Sequence, residues 1–140
     1  MRITLITFII IFGMVSCQEE AGLDSTDIES LLIGSWSHSE YNDTTLTLKR
    51  VNRLPEDEYG ITFLADGELR EWKNAGWCGT PPITYGNFEG YWEITADSAV
   101  EVQTNYWGGE MIMKWHILEI NQGILVHWID HTETIYMEME

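Results

Sequence analysis

Large apolar residues fall on every second position along much of this chain, and that alternation restricts the fold more than any other feature. The clearest runs are 59–63 and 87–95, in which aromatic or aliphatic side chains alternate with small or charged ones. Such a pattern is typical of strands that bury one face and expose the other to water. We therefore expect an all-β domain.

Turn-forming residues divide the alternating stretch at regular intervals. Asp-Gly at 66–67, Asp-Ser at 97–98, Gly-Gly at 108–109 and Asn-Gln-Gly at 121–123 suit tight hairpin links between antiparallel neighbours. We predict strands near 35–41, 45–52, 58–65, 68–73, 87–95, 99–105, 110–120, 124–129 and 134–139. This succession of hairpins predicts an antiparallel up-and-down barrel of eight to nine strands.

A short helix is predicted ahead of the first strand. The segment 26–29 forms a capping box, Ile28, Leu31 and Leu32 share one stripe, and Gly34 is placed to end the helix. The barrel domain with this helix is predicted to span residues 26–140.

Alternate links of a meander share one end of the barrel. On the predicted strands the links near 53–57, 74–86, 106–109 and 130–133 should lie together, and the helix should lie at that same loop-rich end. The opposite end should carry only tight turns.

The inward-facing apolar side chains are the predicted core or cavity lining. They are Trp36, Ile61, Phe63, Phe88, Trp92, Ile94, Trp115 and Trp128. A small barrel either fills its interior with such side chains or holds one ligand, and the sequence leaves both possibilities open.

The N-terminus has the layout of a signal peptide. Arg2 precedes an apolar stretch that is shorter than the roughly 20 residues a membrane-crossing helix needs. Residues 1–16 and Cys17, read as Val-Ser-Cys at the junction, resemble bacterial lipoprotein signals. The resemblance implies cleavage before Cys17, diacylglycerol on its sulfur and a further acyl chain, such as palmitate, on its amino group. Several acyl chains make a stable membrane anchor.

Residues 17–25 are then a lipidated cysteine with an acidic tether. The Gln-Glu-Glu segment at 18–20 is similar to a signal that directs some lipoproteins of the Bacteroidota to the outer face of the outer membrane. The resemblance implies the cell envelope, at the periplasmic or exposed face of the outer membrane. The alternative is an ordinary secreted protein that is cut nearby, in which a Cys17–Cys78 disulfide becomes possible.

The helix followed by Gly34-Ser35-Trp36 at the entry to the first strand resembles the opening of lipocalins, and in particular the lipocalin-like lipoproteins of the Bacteroidota. The resemblance implies a lipocalin-like barrel. Unlike that family, the chain has no arginine near the end of the late strands that could stack on Trp36.

The charge of the chain restricts its partners. Removal of residues 1–16 takes away one basic and no acidic residue, which leaves 6 basic and 23 acidic residues and a formal charge of −17 on 124 residues. Such a field repels phosphate backbones and excludes nucleic acid as a partner. The length suits a single domain.

The longest link, 74–86, provides the best candidate surface. It contains Trp77 and Tyr85, and with Trp107 these rings could offer flat faces to a sugar ring or an apolar partner. The alternative is that they fold back and cover the barrel end.

Catalytic and metal chemistry have weak support. Cys78 has no histidine nearby in the sequence to activate it. Asp130, His131 and Glu133 form a weak candidate metal site, but only if the chain turns at Asp130, because His127 and His131 on one strand would stand about 13 Å apart. We expect no enzyme activity and no cofactor.

The sequence thus predicts a lipid-anchored, non-enzymatic envelope protein that binds a small apolar or glycan ligand in, or at the end of, the barrel. The alternative is a protein–protein interaction or accessory module of the envelope with a solid barrel core.

Overall fold

Eight strands close into a barrel in the computed structural model, which describes residues 24–96 and 98–137. The elements are α1 (Ser25–Leu32), β1 (Gly34–Asn42), β2 (Thr45–Val51), β3 (Gly60–Phe63), β4 (Glu68–Asn74), β5 (Tyr85–Ala96), β6 (Ala99–Tyr106), β7 (Gly109–Ile120) and β8 (Ile124–Met137). All neighbouring strands are antiparallel, in the closed order β1-β2-β8-β7-β6-β5-β4-β3. The predicted all-β antiparallel barrel with a short N-terminal helix is confirmed.

The strand order departs from the chain order at one place. β1 lies between β2 and β3, so that Trp36 is opposite Arg50 on one side and opposite Ile61 on the other. Because β2 and β3 are both antiparallel to β1, they run in the same direction. The segment 52–59 therefore crosses from one to the other, and the indole nitrogen of Trp72 holds it by donating to the carbonyl of Glu56 at 3.2 Å.

This crossover decides which links share an end. The segment 75–84, the β6–β7 turn at 107–108 and the end of β8 lie at one end of the barrel, which we call the loop end. The helix α1 and the turns at 64–67 and 121–123 lie at the other, the helix end. The expectation that the helix lies with the long loops was wrong. Because β2 and β3 run in the same direction, the segment 52–59 spans the barrel from end to end, and every later link lies at the opposite end from the one predicted.

The strands predicted at 124–129 and 134–139 belong to a single strand, β8. Ile112 pairs with Ile135 but Lys114 pairs with Asp130, so residues 131–134 bulge out of an otherwise continuous β8. The Asp130 carboxylate fixes the bulge by accepting from the backbone N–H and the hydroxyl of Thr132, at 2.9 and 2.7 Å. The link predicted at 130–133 is this bulge and does not reverse the chain.

Aromatic side chains fill the helix-end half of the barrel. Trp36, Ile61, Phe63, Trp92 and Trp115 are buried in one core cluster, as predicted. The Phe63 ring makes edge contacts with Trp92 and Trp115 at centroid distances of 5.4 and 5.8 Å. Ile28 and Leu32 of α1 join the cluster and close the helix end.

The remaining three predicted core residues lie elsewhere. Ile94 is partly buried against the core, and Phe88 is half-buried with the Lys73 ammonium 5.2 Å from its ring centroid. Trp128 is outside the core cluster, and its ring stacks on His116 at 4.1 Å. The prediction for Trp128 was wrong because the strand phase directs its neighbour His127, which is fully buried, into the barrel.

An arginine does stack on Trp36, but it comes from the second strand. The Arg50 guanidinium lies 4.2 Å from the centroid of the Trp36 ring and donates to the carbonyls of Leu31 and Ile33, at 2.8 Å for Ile33. The Trp36 indole donates to the carbonyl of Leu32 at 2.8 Å. These bonds satisfy carbonyls that the end of α1 leaves without helical partners.

The segment 24–137 has its own core, and each strand of its closed sheet is paired on both edges. These are properties of an independently folding domain. Among the described residues, no helix is both long and apolar enough to cross a membrane.

Candidate functional site

The loop-end half of the barrel contains a cavity. Its volume is about 210 Å³. The lining residues are His38, Leu46, Tyr59, Glu71, Lys73, Met111, Met113, Trp115 and Ile129. A dry cavity of about 150 Å³ is enough to bind benzene, so this one has room for a compact organic molecule.

The floor of the cavity is the ring of Trp115. This side chain lines the cavity and also contacts Phe63 in the filled half of the barrel. Met111 and Met113 precede it at alternate positions of β7 and extend the apolar wall toward the loop end. Unbranched methionine side chains adapt to ligands of different shape, so this wall tolerates some variation in the occupant.

One side of the cavity is polar and is built from an ion pair. The Glu71 side chain, of which 4% is exposed, accepts from Lys73 Nζ at 2.6 Å through one oxygen and from the Tyr59 hydroxyl at 2.9 Å through the other. Burial first, and then the charge and hydrogen bond of Glu71, raise the pKa of Tyr59 well above its usual value. Tyr59 therefore remains a neutral donor, and the pair gives the wall no net charge.

A groove continues the cavity at the loop end, and we call it the mouth groove. Its residues are Lys73, Asn74, Gly76, Trp77, Gly79, Tyr106, Trp107 and Met111, around a volume of about 350 Å³. Lys73 and Met111 line both the cavity and the groove. They therefore stand where the interior of the barrel meets the surface.

The structure brings two of the three candidate binding aromatics together. Trp77 and Trp107 line the mouth groove and are 80% and 58% exposed, so they do not fold back over the barrel end. Tyr85 lies instead against Trp72, with a centroid distance of 6.5 Å and 14° between the planes. The sequence analysis missed a further aromatic residue of the groove, Tyr106. Its ring lies edge-to-face with that of Trp107, with 5.7 Å between the ring centroids.

The sequence analysis did not predict that a histidine is buried in the interior of the barrel. His127 is fully buried and its ring stacks on Trp115, 3.8 Å between centroids and 5° between planes. Neither ring nitrogen makes a hydrogen bond of good geometry within the described part of the chain. Burial lowers its pKa to about 3, so the imidazole is neutral at physiological pH.

The weak metal candidate is only partly described. The Asp130 carboxylate is engaged by Thr132, whose hydrogen bonds are the main cause of its lowered pKa, and His131 is exposed. The side chain of Glu133 lies outside the described residues. Among the side chains that are described, no group of three or more His, Cys, Asp or Glu is arranged to hold a metal ion.

The two cysteines have separate outcomes. Cys78 is a free, exposed thiol in the 75–84 segment, and hydrogen bonds donated to its sulfur by the backbone N–H and the hydroxyl of Thr80 lower its pKa. Cys17 and the signal segment 1–16 lie outside the described residues, so the lipid anchor and the alternative disulfide stay predictions.

Comparison with known proteins gives no relative: no protein-family model, curated protein or solved structure matches this chain. The resemblance to lipocalin-like lipoproteins thus stays a prediction, and function has to be argued from the cavity and its residues.

Proposed function

We propose that this chain is a lipid-anchored protein of the cell envelope that binds a small apolar or glycan ligand in its barrel and catalyses no reaction. The observation that carries the proposal is the loop-end cavity, which is apolar over most of its wall and continues into the mouth groove. Ligand sites in proteins usually combine such an apolar wall with a few convergent polar groups.

The volume of the cavity limits the ligand. Drug-sized ligands occupy pockets of about 300–1,000 Å³, so about 210 Å³ suits a molecule the size of a single ring. A larger ligand would extend into the mouth groove, where the exposed faces of Trp77 and Trp107 are available to stack on an apolar or sugar ring.

The position of α1 supports an orientation for the anchored protein. Cys17 precedes Asp24, the N-cap residue of α1, by seven positions, and α1 closes the helix end of the barrel. With the lipid on Cys17, we propose that the helix end is held toward the membrane. The mouth groove at the opposite end would then open away from it.

Metabolic labelling tests the anchor. We expect the protein to incorporate labelled palmitate in its bacterial host and the Cys17→Ser variant to lose the label. The matched control is Cys78→Ser, which leaves the proposed attachment site intact and should label like the wild type. Equal labelling of the Cys17→Ser variant would overturn the lipid anchor.

Ligand binding is tested on residues 18–140, which contain the whole described barrel. Native mass measured after purification, together with tryptophan fluorescence during titration with a panel of lipids and glycans, should reveal a copurified small molecule or a saturable change, since Trp115 is the floor of the cavity. A bare mass and a flat response across the panel would count against a ligand carrier.

A second function rests on the exposed aromatic side chains of the loop end. Tyr106 contacts both Trp107 and Tyr136, and Trp107 and Tyr136 are 58% and 63% exposed. Aromatic residues of this kind are enriched in protein interfaces. If the protein is an interaction module, it should capture a protein partner in pull-downs from solubilised membranes. The Trp77→Ala, Trp107→Ala double variant should no longer capture that partner.

A further inference from the structure

We propose that the cavity selects an uncharged, compact ligand with an apolar body and one oxygen acceptor, and that Lys73 is the residue that binds this oxygen. The inference rests on the proposed function and specifies the ligand class of the same site. It follows from the position of Lys73, from the way Glu71 is already engaged, and from the remaining wall of the cavity.

Lys73 has both the position and the hydrogen-bonding capacity for this role. Its side chain is 14% exposed and lines the cavity as well as the mouth groove. The ammonium group has three donors and no acceptor. Glu71 takes one of them at 2.6 Å, and the Phe88 ring lies 5.2 Å away. Donors therefore remain for an oxygen of a ligand that enters from the groove.

The engagement of Glu71 argues against a charged ligand. Both of its carboxylate oxygens already accept, one from Lys73 and one from Tyr59. A cation would lie close to the Lys73 ammonium, and the described lining has no carboxylate besides Glu71 to compensate a second positive charge. An anion would compete with Glu71 for Lys73 and leave a carboxylate uncompensated in a buried site, which is costly. A neutral oxygen, as in a hydroxyl or carbonyl group, binds without disturbing the pair.

The rest of the lining suits an apolar body. Leu46, Met111, Met113 and Ile129 surround the Trp115 floor, and the described lining offers one further titratable side chain, His38. A ligand with its oxygen at Lys73 would place its apolar part against these side chains. A flat ring would also be able to contact the part of the Trp115 indole that lines the cavity, because aromatic rings favour offset or edge contacts with one another.

Three single-ring probes test this inference by calorimetric titration of residues 18–140. Benzyl alcohol carries a neutral oxygen, toluene carries none, and benzoate carries a charge. We expect benzyl alcohol to bind about tenfold more tightly than toluene or benzoate, as one hydrogen bond to a charged donor predicts. Equal affinity for toluene, or tighter binding of benzoate, would overturn the inference and leave the proposed function standing. Saturable binding of none of the three would overturn the inference, and a flat response to the lipid and glycan panel as well would overturn the proposed function.

Variants assign the effect to the ion pair. Lys73→Met combined with Glu71→Gln removes the donor without leaving a buried charge, and it should abolish the preference for benzyl alcohol over toluene while toluene still binds. Glu71→Gln alone leaves Lys73 without its counterion and should shift the preference toward benzoate. The control is Lys49→Met, at an exposed position of β2, which should bind all three probes like the wild type. An unchanged preference in the double variant would contradict the role of Lys73.

Discussion

His127 is the residue whose burial has the clearest consequence in solution. Its ring is stacked on Trp115 inside the barrel, and burial lowers its pKa to about 3, against an ordinary value of 6.5. The unfolded chain therefore takes up a proton near pH 6.5 and the folded chain only near pH 3. Between these values acid favours the unfolded state.

We predict that the free energy of unfolding falls by up to about 1.4 kcal/mol per pH unit between pH 6.5 and 3 on account of His127. His127→Phe keeps a ring on Trp115 and removes the two buried nitrogens, so this contribution to the slope should disappear and the stability at pH 7 should rise. Urea unfolding across the pH range measures both effects.

The control for this experiment is His131→Gln, because His131 is exposed and lies outside the barrel interior. It should retain the wild-type slope. A His127→Phe slope equal to that of the wild type would show that the buried imidazole does not set the acid sensitivity.

At the scale of the elements, the junction of α1 with β1 and β2 depends on one glycine. Gly34 has a φ of +130°, and a Cβ atom at this position would clash with Nη1 of Arg50. The guanidinium needs this space to stack on Trp36 and to reach the carbonyls at the end of α1. The Gly-x-Trp sequence is thus explained by the packing of Arg50.

We predict that Gly34→Ala destabilises the protein by about 1–3 kcal/mol, the usual cost of a side chain in such a backbone conformation. Equilibrium unfolding in urea provides the measurement. Gly79→Ala is the matched control, because no atom lies within 4 Å of its Cβ position. A loss of stability no larger for Gly34→Ala than for Gly79→Ala would contradict the account of this junction.

Elements with strict alternation could be predicted from the sequence, and those with an interruption could not. The alternation of β5 and the tight turn before β8 placed these elements to within a few residues. The crossover at 52–59 was missed because local patterns do not reveal which strand lies beside which. The bulge at 131–134 was predicted to be a turn. An Asp side chain that accepts hydrogen bonds from the residue two positions later, as Asp130 does from Thr132, occurs in turns as well as in this bulge.

On the scale of the whole molecule, the sequence analysis named two aromatic residues that line the mouth groove, but it did not identify the polar wall of the cavity. Trp77 and Trp107 stood out as large rings in links. The sequence analysis did not single out Glu71 and Lys73, because period-two alternation groups residues on one face without telling which face is buried when the residues are charged. Only the closure of the barrel turns this pair inward, beside Tyr59.

The methionine methyl groups provide the most direct test of a ligand site inside the barrel. Met111 and Met113 line the cavity, whereas Met137 lies at the end of β8 outside the cavity lining. In residues 18–140 labelled with ¹³C at the methionine methyl groups, we predict that benzyl alcohol shifts the Met111 and Met113 signals saturably and leaves Met137 in place. Shifts confined to the indole N–H signals of Trp77 and Trp107, or no shifts at all, would contradict a ligand site in the barrel interior.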